Sequence, residues 1–163
     1  MATSIRMAMP TDADATRRVE EEAFATVRSV YRPNPAARAH LSAIAPALER
    51  LVAEVDGRIV GTVRFGIFGD RLRVIGLAVL PPFRRRGVAR ALVEELARVA
   101  KLKDCRALAL YTVTKTGNVS VFERLGLRVV SEQPDSYSVS PDGGALTEAY
   151  MEREVVRPSV DED

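Results

Sequence analysis

Cysteine is nearly absent from this sequence, in which Cys105 is the only one. A single cysteine excludes an internal disulfide, so the chain is compatible with a reducing compartment. We interpret Cys105 as a small apolar residue near the end of a helix rather than as a nucleophile. Histidine is equally scarce, and for the single His40 a surface or structural role is favoured over that of a general base.

Long apolar runs and strong charge are missing as well. No run is long enough to span a bilayer and no signal-peptide pattern is present, so we expect a cytoplasmic protein without a membrane partner. The formal net charge of +2 is too small to indicate a nucleic-acid partner by itself. Repeats and low-complexity segments are also absent, and 163 residues suffice for one hydrophobic core. We therefore predict one domain over residues 4–155, followed by a polar tail over residues 156–163.

What the chain does contain is a strand, a turn and a helix in close succession. Residues Val74–Leu80 are almost all apolar, as expected for a strand that is covered on both faces. Pro81 and Pro82 end this strand, because proline has no N–H to donate to a sheet. From Val88 onward apolar residues recur at helical spacing, and charged residues fill the other face of the helix.

The junction between strand and helix has the features of an anion site. The first N–H groups of a helix lack intrahelical partners and carry the positive end of the helix dipole. Gly87 and Ala89 leave little side chain in the way, so a phosphate can approach the backbone closely. Four arginines flank this opening: Arg84, Arg85, Arg86 and Arg90. A diphosphate fits the pattern, and the alternative is a basic, solvated helix start without a ligand.

The spacing Arg84-x-x-Gly87-x-Ala89 resembles the coenzyme A pyrophosphate loop of the GCN5-related N-acetyltransferase (GNAT) superfamily. Three further features are similar to that family and occur in its order. They are the strand end Leu77-Ala78-Val79 with the prolines after it, the segment Phe122-Glu123-Arg124-Leu125-Gly126-Leu127, and the closing Ala149-Tyr150-Met151-Glu152-Arg153. The resemblance extends over nearly the whole chain, from about Ser4 to Val155.

The resemblance implies an α/β (α+β) fold with a mixed central sheet of about seven strands, mostly antiparallel, and about four flanking helices. It also implies that two parallel central strands splay apart. The local pattern agrees, since turns at Asp56-Gly57 and Gly69-Asp70 join three antiparallel strands before the loop. The apolar run Ala107–Val113 should lie parallel to the last of these strands by the right-handed crossover rule. Gly61 and Gly66 are candidate bulges.

The resemblance further implies that acetyl-CoA is the co-substrate and that coenzyme A is bound. Its pantetheine arm would insert between the splayed strands and pair with the backbone of Leu77, Ala78 and Val79. The N–H of Val79 would polarise the thioester carbonyl. The loop residues implied to bind the cofactor are Arg84, Arg85, Arg86, Gly87, Val88, Ala89 and Arg90. Asn118 resembles the family's asparagine that contacts the cofactor, and the ring of Phe122 would pack against the cofactor.

Two catalytic groups are missing from the positions where many members of the family have them. Phe122 stands where a tyrosine hydroxyl would protonate the departing thiolate, and a phenyl ring has no proton to donate. Tyr111 on the neighbouring strand is the candidate general acid, and its alternative is a core aromatic with a satisfied hydroxyl. Tyr137 and Tyr150 are further candidates from the expected cleft wall. Neither central strand carries a carboxylate, so the amine proton would leave through water, or the amine would arrive neutral.

We therefore predict an acetyl-CoA-dependent N-acetyltransferase that acts on a primary amine by direct attack in a ternary complex. The amine could belong to a small molecule or a peptide. The resemblance places the first helix beside the acceptor cleft, so a carboxylate of its acidic run Glu20–Glu22 is a candidate for holding the amine, and the alternative is a solvated charged face. The alternative is a coenzyme A-binding module with weak or no activity, which Phe122 favours. A nucleic-acid binder is disfavoured, because the basic loop is one turn long and lacks interleaved aromatics. The resemblance is compatible with a homodimer and specifies neither the acceptor nor the preferred acyl group.

Overall fold

The computed structural model describes residues 2–156 of the chain. Within that range the α-helices are α1 (Ala13–Phe24), α2 (Pro35–Ile44), α3 (Val88–Leu102) and α4 (Asn118–Arg124). The strands are β1 (Thr3–Met7), β2 (Arg32–Pro33), β3 (Glu49–Val55), β4 (Arg58–Phe68), β5 (Arg71–Val79), β6 (Ala107–Val113), β7 (Arg128–Pro134), β8 (Ser138–Val139) and β9 (Thr147–Glu154). Among these residues, no helix combines the length and the apolar character that a bilayer span requires. Residues 157–163 of the predicted tail lie outside the described residues.

Seven of the described strands form one sheet in the order β1-β3-β4-β5-β6-β9-β7. Every neighbouring pair in it is antiparallel except β5 and β6, which are parallel. This confirms the predicted mixed, mostly antiparallel sheet with its single parallel pair and four helices. The strands β2 and β8 form a separate antiparallel pair of two residues each, which the sequence pattern did not indicate.

The strands β3, β4 and β5 form the two predicted hairpins. The turn at Asp56-Gly57 joins β3 to β4, and Gly69-Asp70 joins β4 to β5. The bulge prediction for Gly66 is wrong, since this glycine pairs in register with Arg73. Gly61 adjoins a shift of register in the β3–β4 pair.

Close packing on the two faces of β4 explains why glycine occupies positions 61 and 66. Gly61 and Gly66 are an odd number of positions apart, so they face opposite sides of the sheet. A Cβ on Gly61 would lie 2.9 Å from Val88 Cγ1 of α3, and a Cβ on Gly66 would lie 2.9 Å from Leu48 Cδ2, just after α2. The helix α3 therefore covers one face, and the segment that includes α2 covers the other. The side chains that α3 buries are Val88, Leu92, Val93, Leu96 and Ala100.

The parallel strands β5 and β6 separate soon after they meet. They pair at three positions only, where Arg71, Leu72 and Arg73 face Ala107, Leu108 and Ala109. Beyond these three positions, no residue of β5 pairs with a residue of β6 within residues 2–156. A shift of register between β4 and β5 occurs at the same level, where Gly76 has a φ of +65° that favours glycine. The predicted splayed pair is thus present, and it opens a gap in the middle of the sheet.

Candidate active site

A short loop connects β5 to α3 and is fixed to the sheet by backbone hydrogen bonds. Leu80 N donates to Val60 O of β4 at 2.8 Å, and Phe83 N closes a 3₁₀ turn on Leu80 O at 2.9 Å. Arg85 and Gly87 then take left-handed backbone conformations, with φ of 60° and 81°. A turn of this kind can direct successive N–H groups to one side, as in the backbone nests that bind anions.

The N–H groups at the start of α3 are open to a ligand. Within residues 2–156, the amides of Arg86, Gly87, Val88 and Ala89 donate no hydrogen bond to the protein. Gly87 is the N-cap, and no side chain caps the helix. A Cβ on Gly87 would meet nothing within 4 Å, so the approach to these amides is clear. The 15-residue helix therefore presents free donors and the positive end of its dipole at one place.

The edge of β5 beside the gap also has an open donor. Successive N–H groups of an extended strand point to opposite sides. Leu80 N points to β4, where it bonds to Val60 O, so the N–H of Val79 points away from β4 and into the gap. In the described part of the chain, β6 does not pair with this end of β5. The side chains of Ala78 and Val79 are buried, which leaves only their backbone for a ligand.

The sequence predicted that the four loop arginines flank the opening. In the structure not all of them do. Arg84 Nη2 donates to Ala23 O near the end of α1, and Arg90 Nη2 donates to Arg124 O at the end of α4, both at 3.0 Å. Arg86 Cζ lies over the ring of Phe83 at 5.6 Å from its centroid. Arg84 and Arg90 therefore tie the loop to the carboxyl ends of two helices, where a cation stabilises the negative end of the dipole.

A cleft of about 600 Å³ occupies the gap between β5 and β6. Leu77 of β5 and Tyr111 of β6 line it, and so do Asn118 and Phe122 of α4. These four predicted residues are thus brought together. Residues from α1, α2, β8 and the α1–α2 connection close the other side of the same cleft.

Tyr111 is an exposed wall of the cleft rather than a core aromatic. Its side chain is 48% exposed, and its hydroxyl makes no hydrogen bond within residues 2–156. The ring lies 5.0 Å from the ring of Tyr150 and 5.2 Å from Arg73 Cζ, measured at the centroids. These contacts position the ring and leave the hydroxyl available, as a proton donor requires.

The two other candidate tyrosines differ in their environment. Tyr150 donates its hydroxyl proton to Glu152 Oε1 at 2.6 Å, and burial together with this hydrogen bond raises the pKa of Tyr150 to about 12. The hydroxyl proton of Tyr150 is therefore held by Glu152, and Tyr150 does not line the cleft. Tyr137 does line the cleft, and its ring centroid lies 5.7 Å from that of His40.

The cleft also contains two residues whose position the sequence did not indicate. His40 lies in its wall, with Nε2 3.3 Å from Arg73 Nη1. Because a guanidinium can only donate, Nε2 is the acceptor in this contact. Tyr31 lies in the same wall, and burial raises the pKa of its hydroxyl. Both come from segments that carry no motif, so only the fold reveals their place.

Among the residues that the structure describes, three carboxylates line the cleft, and each already accepts a hydrogen bond. Glu20 accepts from Arg50 Nη1, so the acidic run of α1 is engaged at the position closest to the site. Asp135 accepts from the amide of Tyr137 at 2.7 Å. Glu148 of β9 accepts from Gln133 Nε2 at 2.9 Å. The cleft thus has carboxylates on β9 and on the loop after β7, although β5 and β6 carry none.

The model of the acetyltransferase (GNAT) family matches residues 14–127 of the chain, which include the loop, the splayed strands and α4. The chain belongs to this family. As a GNAT member it is an acetyltransferase by class, and acetyl-CoA is the co-substrate that the family generally uses.

Solved GNAT structures match the fold over almost the whole chain. The ribosomal-protein-S18-alanine N-acetyltransferase from Escherichia coli has 18% sequence identity and a TM-score of 0.75, with 99% of each chain covered. An N-acetyltransferase from Staphylococcus aureus Mu50 has 18% identity and a TM-score of 0.74, with 96% of this chain and 100% of that one covered. Nourseothricin acetyltransferase has 20% identity and a TM-score of 0.71 at the same coverage. At such identities the likeness establishes the fold, and the names show that the fold serves different acceptors.

Proposed function

We propose that this protein is an acetyl-CoA-dependent N-acetyltransferase that transfers the acetyl group directly to a primary amine in a ternary complex. The observation that carries the proposal is the combination of two open sets of donors. One set is the free amides Arg86–Ala89 at the start of α3, and the other is the free edge of β5 beside the gap. A cofactor that has a diphosphate and an arm of amide groups matches both sets.

The chain would bind and orient this co-substrate mainly through its backbone. The amides Arg86–Ala89 bind the diphosphate, and Arg85 adds charge that no described group neutralises. The strand edge at Leu77 and Val79 pairs with the amides of the arm. Acetyl-CoA supplies an activated acyl group as a thioester. The N–H of Val79, which points into the gap, donates to the carbonyl oxygen where negative charge develops.

The proton transfers follow from the groups that line the cleft. The amine nitrogen forms a bond to the carbonyl carbon, and the carbon–sulfur bond breaks. Tyr111 donates its hydroxyl proton to the departing thiolate, because Phe122 has none to give. The amine proton passes to water in the cleft, since neither β5 nor β6 carries a carboxylate, and water returns a proton to the phenolate of Tyr111. Holding the two reactants at the same gap supplies the proximity that a direct transfer requires.

Two measurements test this function. Coenzyme A and acetyl-CoA should each raise the melting temperature, because a ligand that binds only the folded state stabilises it. Acetyl-CoA with a panel of small-molecule and peptide amines should then release free thiol. Absence of both effects would contradict the proposal. Stabilisation without thiol release on any amine would favour the alternative of a coenzyme A-binding module, for which the proton-less Phe122 is the supporting observation.

A further inference from the structure

Arg64 of β4 is an arginine in the cleft wall without a counter-charge. Its Nε is buried and has no hydrogen-bond partner, and no carboxylate in residues 2–156 lies within ion-pair distance of its guanidinium. Burying part of a permanent cation without a partner costs free energy, so such a group is rarely left unpaired for structural reasons alone. Its partner is therefore expected to come from outside the chain.

A neighbouring arginine shows that the fold can satisfy such a group when its role is structural. Arg50 of β3 stands directly opposite Arg64 in the antiparallel register, so both side chains face the same side of the sheet. Arg50 Nη1 donates to Glu20 Oε1 and, at 3.0 Å, to Thr62 Oγ1. The same face thus holds one arginine with two partners and one with none.

The backbone beside Arg64 leaves room for a ligand. Gly76 lies at the register shift of β5, and a Cβ there would be 3.9 Å from Arg64 Nη2 and 4.0 Å from Phe24 Cζ. A side chain at this position would reach the guanidinium. The φ of +65° favours glycine here, and the missing side chain also leaves Nη2 of Arg64 uncovered from this side.

A second arginine without an ion pair to a described residue lies on the same face. Arg73 of β5 is the diagonal neighbour of Arg64, which pairs with Ile75, and such neighbours are about 7–8 Å apart. Its contacts are with His40 Nε2 and with the rings of Tyr111 and Phe68, and it forms no ion pair with a described residue. Of the three carboxylates in the cleft lining, Glu20 is paired with Arg50. Among the described residues of the lining, Asp135 and Glu148 remain as negative charges against three arginines, Arg28, Arg64 and Arg73.

We propose that the acetyl acceptor is a small amine that carries a carboxylate, and that Arg64 binds this carboxylate while Arg73 adds positive charge. The proposal rests on the acetyltransferase function proposed above. A planar guanidinium can bind both carboxylate oxygens with two parallel hydrogen bonds, which fixes the orientation of the molecule as well as its affinity. Such a grip would direct the amine of an amino acid toward the thioester end of the gap, beside Tyr111.

The test compares acceptors that differ only in the carboxylate. Free α-amino acids and the matching α-carboxamides are assayed as acceptors with acetyl-CoA. The wild type should use the acids with a kcat/KM on the order of tenfold or more above that of the amides. Arg64→Gln should lower kcat/KM for the acids by on the order of tenfold to a hundredfold and leave the amides nearly unchanged. Equal use of acids and amides by the wild type, or an equal loss for both in the variant, would overturn the proposal.

Arg38 provides a matched control. It lies on α2, is exposed and does not line the cleft, so removal of its charge by Arg38→Gln should change kcat/KM by less than about threefold, and equally for acids and amides. Arg64→Met reports on folding. Because the guanidinium has no partner to lose, this variant should melt no lower than the wild type, whereas Arg50→Met should melt lower by leaving Glu20 unpaired.

Calorimetry in the presence of coenzyme A separates this proposal from the function on which it rests. An amino acid that binds the wild type but not Arg64→Gln, without thiol release, would support the carboxylate site and contradict the acetyltransferase function. Acetylation of amides with no preference for acids would support the function and contradict the site.

Discussion

The hydroxyl of Tyr111 is the group on which proton donation to the thiolate depends in our proposal. Phe122 occupies the position at which the family resemblance places a tyrosine, and Tyr150 has its proton on a hydrogen bond to Glu152. Tyr111 lines the same cleft as Phe122, with its hydroxyl unbonded in the described part of the chain. A single side chain on β6 would thus replace one on α4.

Tyr111→Phe should lower kcat by about a hundredfold, because general acids contribute roughly 10²–10⁴-fold to such reactions. The KM for acetyl-CoA should stay nearly constant, since binding relies on the backbone of the loop and of β5. Steady-state kinetics of thiol release measure both quantities. An unchanged kcat would remove Tyr111 from the mechanism.

A second substitution tests whether the loss of kcat in Tyr111→Phe comes from the missing hydroxyl or from a shift of the ring. In the Tyr111→Phe background, Phe122→Tyr returns a hydroxyl to the cleft from the other wall and should restore part of kcat. Tyr137→Phe is the control, because it removes a cleft hydroxyl that has no role in the proposed transfer.

At the scale of elements, the loop between β5 and α3 is a rigid donor array. The sheet fixes one end of it through Leu80 N, and α3 begins at the other. Arg84 and Arg90 connect it to the ends of α1 and α4, which are both walls of the cleft. The proposed sites for the diphosphate and for the acceptor are therefore held in place by the same two helices.

Gly87→Val should weaken coenzyme A binding by on the order of tenfold or more, because a branched side chain would stand in front of the free amides. Isothermal calorimetry measures the change. Gly69→Val is the matched control, since Gly69 also has a positive φ and open surroundings but lies at the other end of β5. Both variants should lose thermal stability through backbone strain, and only the first should lose affinity. Equal affinities in the two variants would contradict the loop assignment.

A salt-bridged cluster joins β1, β3 and the start of α1. Arg6 donates to both carboxylate oxygens of Asp12, at 2.7 and 3.0 Å, and to Glu54 Oε1 at 2.6 Å. The Arg6 hydrogen bonds, helped by one from Met9 N, lower the pKa of Asp12 to about 2. A carboxyl whose pKa is lowered by folding stabilises the native state only while it is ionised.

Asp12→Asn should therefore destabilise the protein at neutral pH, and the difference from the wild type should shrink as the pH falls from about 4 to about 2. The stabilisation is complete above the ordinary pKa of 3.8 and is lost as the pH falls through the lowered one. Urea unfolding across this pH range measures it. Asp14→Asn is the control, because the Asp14 side chain is 89% exposed and should change stability little at any pH. A difference that is independent of pH would contradict this account.

For the molecule as a whole, local signals were sufficient to predict the elements but not the contacts between them. The bounds of β4 agree with the sequence pattern because an Asp-Gly turn and a Gly-Asp turn enclose it. Gly126 follows the end of α4, as a glycine after a helix typically does, with φ at +92° and Leu127 N bonded to Phe122 O. In each case the cause lies within a few residues.

The hydrogen-bond partners of long side chains had no such local cause. Arg84 bonds to a carbonyl 61 positions earlier and Arg90 to one 34 positions later, and hydrophobic periodicity contains no information about either pairing. The unpaired state of Arg64 was hidden for the same reason, since it depends on what β3, β5 and α1 bring near it. The splay itself was anticipated only from the family resemblance, because each strand alone has the pattern of an ordinary buried strand.

Because β5 and β6 separate, the sheet has two unpaired strand edges in its interior in addition to the edges of its two outermost strands. Unsatisfied peptide groups along such an edge are a template onto which a foreign extended segment can add, and this is the usual origin of strand-mediated aggregation. A bound pantetheine arm would occupy the gap and pair with these peptide groups, so that no foreign strand could add there. Coenzyme A should therefore protect the protein from self-association during refolding and storage, apart from any part it takes in turnover.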